Sequence, residues 1–431
     1  MSILAIKGGK PVRTSPFPAY ISIGMEEKKA VAEVLDSGVL SKYLGSWSPD
    51  FYGGPRVQKL EKEWAEYFRV KWAVSVNSAT SALCAAVGAS GVGPGDEVIV
   101  SPYTMTASVA CVLVYNAIPV FADIEPETFC LSAETIRRRL TPRTKALVVV
   151  DLFGQPAEMD AIMALAREHK LVVIEDAAQA PGATYHGRYA GTLGHIGVFS
   201  LNCHKQINSG EGGVAVTNDD NFAERMQLIR NHAEVVVKHK GTQNIVNLLG
   251  FNHRMTEIDA AISSEQLKKL AGLLRPRIEA ANYLTERLGK LPGLTPPVVR
   301  PAANHAYMVY ALRYNAEACG VPRSRVVEAL AAEGITAGAG YVALGAGYVE
   351  PVYLQPVYQQ RLLYGTAGCP FTCPAYRGTV SYERGLCPVT EQMHYSELLT
   401  VTICHANITR ADLDDFAAGF EKVWEKLEEL R

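Results

Sequence analysis

From about residue 72 onward, short apolar, β-branched runs alternate with stretches of helical character, and that alternation restricts the architecture more than any other feature of the chain. Trp72–Val76, Glu97–Val100, Ile118–Phe121, Ala146–Val150 and Leu171–Ile174 read as buried strands. Between them, Ala79–Ala89 carries helix formers, Thr104–Tyr115 is an apolar segment, and Met159–His169 has helical periodicity. Ile196–Leu201 and Gly213–Thr217 add two strand candidates, and Phe222–Arg230 another helix. Short strands that are apolar throughout and alternate with helices predict a βαβ series around a mainly parallel sheet. No repeat of about 20–50 residues is present, which argues against a solenoid or propeller.

Beyond that region the pattern changes. Glu257–Leu288 reads as one long helix with few breakers, leading out of the sheet. Ala306–Arg313 reads as a strand, Ser324–Glu333 as a helix, and Ala411–Leu430 as a charged, amphipathic terminal helix. Residues 338–395 are rich in Gly, Pro, Tyr and Cys and show no regular period. The expected organisation is an N-terminal arm over residues 1–22, a large α/β domain over 23–270, and a smaller C-terminal α+β domain over 271–431.

Composition narrows the function classes. Hydrophobic residues at 48% and charged residues at 20% exclude a disordered chain or a coiled coil. Lys plus Arg (42) nearly balances Asp plus Glu (44), so no basic surface marks a nucleic acid or an acidic membrane as partner. The first residues lack the pattern of a secretory signal, and no run of about 18 apolar residues offers a transmembrane helix. Nine scattered cysteines are expected to be reduced thiols of a cytoplasmic protein. Cys369, Cys373 and Cys387 are the only cluster, and their spacing lacks the tight second pair of a zinc site. No metal is expected.

Four polar stretches carry the chemistry. Asn77-Ser78-Ala79-Thr80-Ser81 lies directly between a strand and a helix, where unpaired N–H groups and the helix dipole can hold a phosphate. The plainer role for Ser78 is a helix cap. Asp176 follows the apolar run Val172–Ile174, at the strand end where α/β proteins bind ligands, and a carboxylate at that depth needs a cation or several donors. Lys205 follows a strand and precedes the turn Ser209-Gly210-Glu211-Gly212-Gly213, which directs it toward a crevice. Gly250-Phe251-Asn252-His253-Arg254 precedes the long helix and says little alone. An amine for an aldehyde, a carboxylate for a ring nitrogen and a phosphate cup are the requirements of pyridoxal 5′-phosphate.

At this point the sequence resembles the DegT/StrS sugar aminotransferases, a family of fold-type I (aspartate aminotransferase-like) pyridoxal phosphate enzymes. The resemblance rests on NSATSAL at 77–83, GVGPGDEVIVSPYT at 91–104, PVFADIEPETFCL at 119–131, EDAAQAPGA at 175–183, HKQINSGEGG at 204–213 and GFNHRMTEIDAA at 250–261. It implies that Lys205 is the Schiff-base lysine, Asp176 the partner of the pyridinium nitrogen, and Gln179 a neighbour of the ring hydroxyl. Ala79, Thr80, Ser200 and Asn202 match phosphate contacts, and Ser78 opens that phosphate cup. Asn252 and Arg254 match a loop that reaches the neighbouring subunit's phosphate, which implies a homodimer with shared sites. Met105 stands where many relatives place an aromatic residue that stacks on the cofactor, and a thioether can pack on a ring face.

Trp47–Gly54 and Tyr341–Tyr382 look like the branch related to scyllo-inosose aminotransferases. The resemblance therefore implies ping-pong transfer from glutamine or glutamate to a keto-cyclitol or a nucleotide-linked oxo-sugar, with pyridoxamine 5′-phosphate as the intermediate form. A pyridoxamine-phosphate-dependent sugar dehydratase and a non-catalytic regulator are the alternatives. The presence of Lys205 argues against both.

Overall fold

The computed structural model describes residues 3–338 and 341–431. Its central sheet uses the apolar runs that dominate the sequence: β1 (Trp72–Val76), β2 (Glu97–Val100), β3 (Ile118–Phe121), β4 (Thr144–Val150) and β5 (Val172–Asp176). A small hairpin, β6 (Thr184–Tyr185) and β7 (Arg188–Tyr189), precedes the last two sheet strands, β8 (Ile196–Ser200) and β9 (Gly213–Thr217). The order is β1-β9-β8-β5-β4-β2-β3. From β8 to β3 all pairs are parallel, whereas β9 runs antiparallel to β1 and β8. The C-terminal ends of six strands therefore share one edge with the N-terminal end of β9. That edge holds the site.

Helices cover both faces, so the strands must be apolar on both. In chain order they are α1 (Met25–Ser37), α2 (Pro55–Phe68), α3 (Ala79–Ala89), α4 (Ala107–Val114), α5 (Ala133–Arg137), α6 (Met159–His169), α7 (Asp220–Arg230), α8 (Ala233–Lys240) and α9 (Glu257–Leu288). The two-residue repeat of a strand sorts the side chains. Val98, Val100, Val148 and Ile174 pack with α3, α4 and α7, whereas Ile99, Leu147, Val149 and Val173 pack with α6 on the opposite face. Phe199, Val214 and Val216 meet α2 and α9.

The 32 residues of α9 span about 48 Å. Its first half buries Leu267, Leu270 and Leu274 against the large sheet; its second half buries Ala281, Leu284 and Leu288 against the C-terminal core. That core surrounds an antiparallel sheet of Leu294–Thr295, Tyr310–Tyr314, Leu398–Val401 and Leu344–Ala346, with helices Arg323–Ala332 and Arg410–Trp424. The fold is thus an α/β layer with a mainly parallel sheet beside a smaller antiparallel α+β layer. Leu4 and Phe17 of the N-terminal arm belong to the C-terminal core, and Arg13 pairs with Asp412 at 2.8 Å and Asp415 at 2.9 Å.

Three elements depart from the expectation. The strand expected over Ala306–Arg313 starts only at Tyr310, because Tyr307 takes a left-handed backbone (φ 44°). The terminal helix ends at Trp424 and resumes as a 3-10 turn over Leu427–Leu430. Within the irregular stretch, Tyr353, Tyr358, Tyr376 and Tyr382 return to the large sheet and pack on its α3/α4 face. Met1, Ser2, Ala339 and Gly340, which fall in the expected arm and in the irregular stretch, lie outside the described residues.

Candidate active site

The common edge of the sheet opens into a cavity of about 920 Å³, within the size range of small-molecule sites. Ser78, Ala79 and Thr80 line it from the start of α3. Ser78 is the N-cap of that helix: its Oγ accepts from Ser81 N–H at 3.1 Å. The cap and the cavity wall are therefore one residue. Gly213 of β9 passes so close to this turn that a Cβ would sit 2.6 Å from Ala79 N and Ser78 C. Only glycine fits there, and its absence of a side chain keeps the α3 N-terminus against the sheet edge.

Asp176 ends β5 and is buried. Its Oδ2 accepts from the Ser108 hydroxyl at 2.7 Å and its Oδ1 from Ala178 N–H at 3.1 Å. Ser108 spends its one proton on this carboxylate. The Thr104 hydroxyl, 2.9 Å from Ser108 Oγ, is then the donor to it. Burial raises the Asp176 pKa above the usual carboxylate value; the Ser108 and Ala178 hydrogen bonds and the nearby Lys205 charge pull it back down. The carboxylate needs a cation to stay ionised at this depth.

Lys205 lines the same cavity. The segment between β8 and β9 closes on itself: Leu201 N–H donates to Gly212 O (2.9 Å), Cys203 N–H to Gly210 O (2.8 Å) and Lys205 N–H to Asn202 O (2.9 Å). This pins the lysine at the end of a tight turn. Burial lowers its pKa and the Asp176 charge opposes that. A lysine held this way has more of the neutral amine that attacks a carbonyl.

The remaining expected residues divide into two groups. Met105, Gln179, Ser200 and Asn202 line the cavity with Lys205 and Asp176. Gln179 is fixed from both ends, accepting from Phe153 N–H at 2.8 Å and donating to the Tyr348 hydroxyl at 3.1 Å. Asn202 donates to Glu211 at 3.1 Å, and Met105 is half exposed at the rim. Asn252 and Arg254 do not line the cavity. Asn252 is exposed, and Arg254 Nε donates to Asn231 Oδ1 at 2.9 Å. Sequence reasoning missed Thr104, Ser108, Tyr348 and Thr402, all on the cavity wall. The i, i+4 spacing of Thr104 and Ser108 was the one local signal for the first two.

All nine cysteines are free thiols, and Cys387 is fully buried. Among the described residues no three His, Cys, Asp or Glu side chains converge as metal ligands, and no helix is long and apolar enough to cross a membrane.

The donor set fits pyridoxal 5′-phosphate: a buried carboxylate short of a cation, an amine with a lowered pKa, and a helix N-terminus with exposed Thr80 beside it. The comparisons agree. The model of the DegT/DnrJ/EryC1/StrS aminotransferase family matches residues 22–408. The spore coat polysaccharide biosynthesis protein SpsC of Bacillus subtilis is 36% identical, over 83% of this chain and 89% of its own. The L-glutamine:2-deoxy-scyllo-inosose aminotransferase of Streptomyces fradiae is also 36% identical, over 98% of both chains. Among solved structures, DesV of S. venezuelae, in complex with a ketimine intermediate, is 30% identical with a TM-score of 0.77, over 93% of this chain and 95% of that one. With Asp176 and Lys205 facing one crevice at the sheet edge and the match running through nearly the whole chain, this protein belongs to the DegT/DnrJ/EryC1/StrS aminotransferase family.

Proposed function

We propose that the protein moves an amino group from glutamine or glutamate to a keto-cyclitol, in a ping-pong cycle at the crevice between Asp176 and Lys205. When bound, pyridoxal 5′-phosphate supplies an aldehyde for the amino group and a ring that delocalises the electrons of a broken Cα–H bond. Asp176 holds a proton at the ring nitrogen. The N–H groups at the start of α3, with Thr80, Ser200 and Asn202, bind the phosphate. Gln179 would contact the cofactor's ring hydroxyl, and Met105 would pack against the ring. The Lys205 amine takes a proton from the donor α-carbon and returns it at the next position, as base and then acid. The acceptor half-reaction runs these steps in reverse.

The observation that carries the cyclitol reading is the character of the wall. Among the described residues that line the cavity, Lys205 is the only lysine or arginine. Gly345, Gly347, Tyr348, Thr400 and Thr402 supply backbone groups and hydroxyls instead. That suits an uncharged polyol better than a nucleoside diphosphate, which calls for cations. The full-length match to the inosose aminotransferase supports the same choice.

The test offers purified protein a keto-cyclitol and a nucleotide-linked keto-sugar, each with glutamine and with glutamate. The expected result is an aminated cyclitol, a cofactor absorption band that shifts on adding donor alone, and loss of both in Lys205→Ala. Amination of the nucleotide-linked sugar alone overturns the acceptor; turnover by Lys205→Ala overturns the mechanism.

A further inference from the structure

A second cavity, of about 320 Å³, adjoins the first, and His204, Met308, Val309 and Thr402 line both. Arg277 of α9 lines this second cavity with Tyr20 of the N-terminal arm and His405. Arg277 is only 5% exposed. One nitrogen, Nη1, donates to Tyr307 O at 3.0 Å, while Nε has no hydrogen-bond partner. Among the described residues no carboxylate forms an ion pair with it; the Tyr20 hydroxyl shares a hydrogen bond with it and the Cys404 thiol lies nearby. Tyr20 presents its ring, with the guanidinium carbon 5.3 Å from the centroid, and gives its hydroxyl proton to Gln206 O.

Those neighbours are neutral near pH 7. Burial pushes the Cys404 thiol up to about 12 and holds His405 down to about 4. His405 Nδ1 accepts from Asn407 N–H at 3.3 Å, as a neutral ring does. Arg277 is thus a buried cation without a counter-ion, on the wall of a cavity that opens beside the catalytic lysine. An uncompensated buried charge is costly to hold, and a planar guanidinium with a spare donor matches a carboxylate.

We infer that Arg277 binds a carboxylate of the amino-acid donor, so that the second cavity is the donor subsite. This rests on the aminotransferase reading. The acceptor proposed above is uncharged, whereas glutamine and glutamate both bring an α-carboxylate and glutamate a second one. The arm residues Phe17 to Tyr20 close the subsite over the donor.

The experiment uses the cofactor-loaded enzyme and measures the two half-reactions separately by rapid mixing, for wild type, Arg277→Lys and Arg277→Gln. Arg277→Gln is expected to raise the donor concentration for half-maximal rate by at least about tenfold, with the acceptor half-reaction unchanged and Arg277→Lys between the two. An equal rise for glutamine and glutamate places the α-carboxylate on Arg277; a rise for glutamate alone places its side-chain carboxylate there. Independently of turnover, glutarate should raise the melting temperature of the wild type and leave Arg277→Gln unmoved. Should Arg277→Gln fail to fold, Arg277→Lys carries the same two readouts. Unchanged donor dependence in a folded variant, or equal losses in both half-reactions, overturns the inference. A wild-type enzyme that responds to neither amino acid overturns the aminotransferase reading instead.

Discussion

Glu175 and Asp176 are consecutive carboxylates on β5, and the two-residue repeat of a strand sends them to opposite faces. Glu175 accepts from the N–H groups of Gly191 (2.7 Å), Leu193 (2.7 Å) and Gly194 (2.8 Å), so it holds a loop. Asp176 turns to the α3/α4 face and the cavity. Its protonation depends on Ser108, whose hydrogen bond lowers the Asp176 pKa against the effect of burial. Ser108→Ala removes that hydrogen bond, so the Asp176 pKa rises. An ionised carboxylate is the form that binds a ring N–H, and it is lost as pH falls through that pKa. The acid limb of the kcat/KM profile should therefore move to higher pH, and cofactor should be retained about tenfold less tightly. A pH–rate profile and dialysis against buffer check both; an unmoved acid limb removes Ser108 from the site. Lys205 and Asp176 were legible in the sequence because strand ends and turns are local patterns. Ser108 was not, because it meets Asp176 from 68 residues away.

At the scale of elements, the alternation from residue 72 predicted the seven sheet strands to within about two residues, since burial on both faces leaves an unbroken apolar run, and the helices over 79–89, 159–169 and 222–230 with them. The helices ahead of it are not part of that reading, although α2 buries Val57, Leu60, Trp64 and Phe68 at helical spacing. What the sequence does not show in α2 is its cap: Gly54 stands at the N-cap with no side chain to offer. The Glu257 carboxylate, from the first turn of α9, supplies the acceptor, taking Arg56 N–H at 2.7 Å and Val57 N–H at 3.4 Å. A Cβ on Gly54 would lie 2.6 Å from that carboxyl carbon, so the glycine makes room for the distant cap. Glu257 is 2% exposed, and Glu257→Ala leaves the buried Val57 N–H and the half-buried Arg56 N–H without an acceptor. The expected cost is about 1–3 kcal/mol, read as a lower midpoint in urea with an unchanged slope. A midpoint equal to wild type would show that water caps α2 equally well.

For the whole molecule, the apolar surface and the two residues left off the cavity point the same way. Leu40, Leu44 and Trp47 are exposed, as are Val235, Ile245, Val246 and Leu249. The two segments adjoin: Asn231 donates to Leu44 O and Phe51 O at 2.9 Å, and Lys240 lies 5.3 Å from the Trp47 ring. Arg254 hangs on the same Asn231. Single-chain periodicity carried no sign of this face, because it is assembled from loops whose register no repeat reports. Exposed apolar clusters of this kind mark interaction surfaces, and we propose a second copy of the chain as the partner, with Arg254 of each subunit serving the other's phosphate cup. A two-fold dimer makes that claim separable from a role within one subunit. Lys205→Ala and Arg254→Ala homodimers should each be inactive or nearly so. In a hybrid of the two, one site lacks both groups, while the other combines the intact Lys205 of one subunit with the intact Arg254 of its partner. Random pairing makes half of the dimers hybrids with one working site in two, so co-expression should restore about a quarter of wild-type activity. If Arg254 acts within its own subunit, every site in the hybrid lacks one of the two residues and no activity returns.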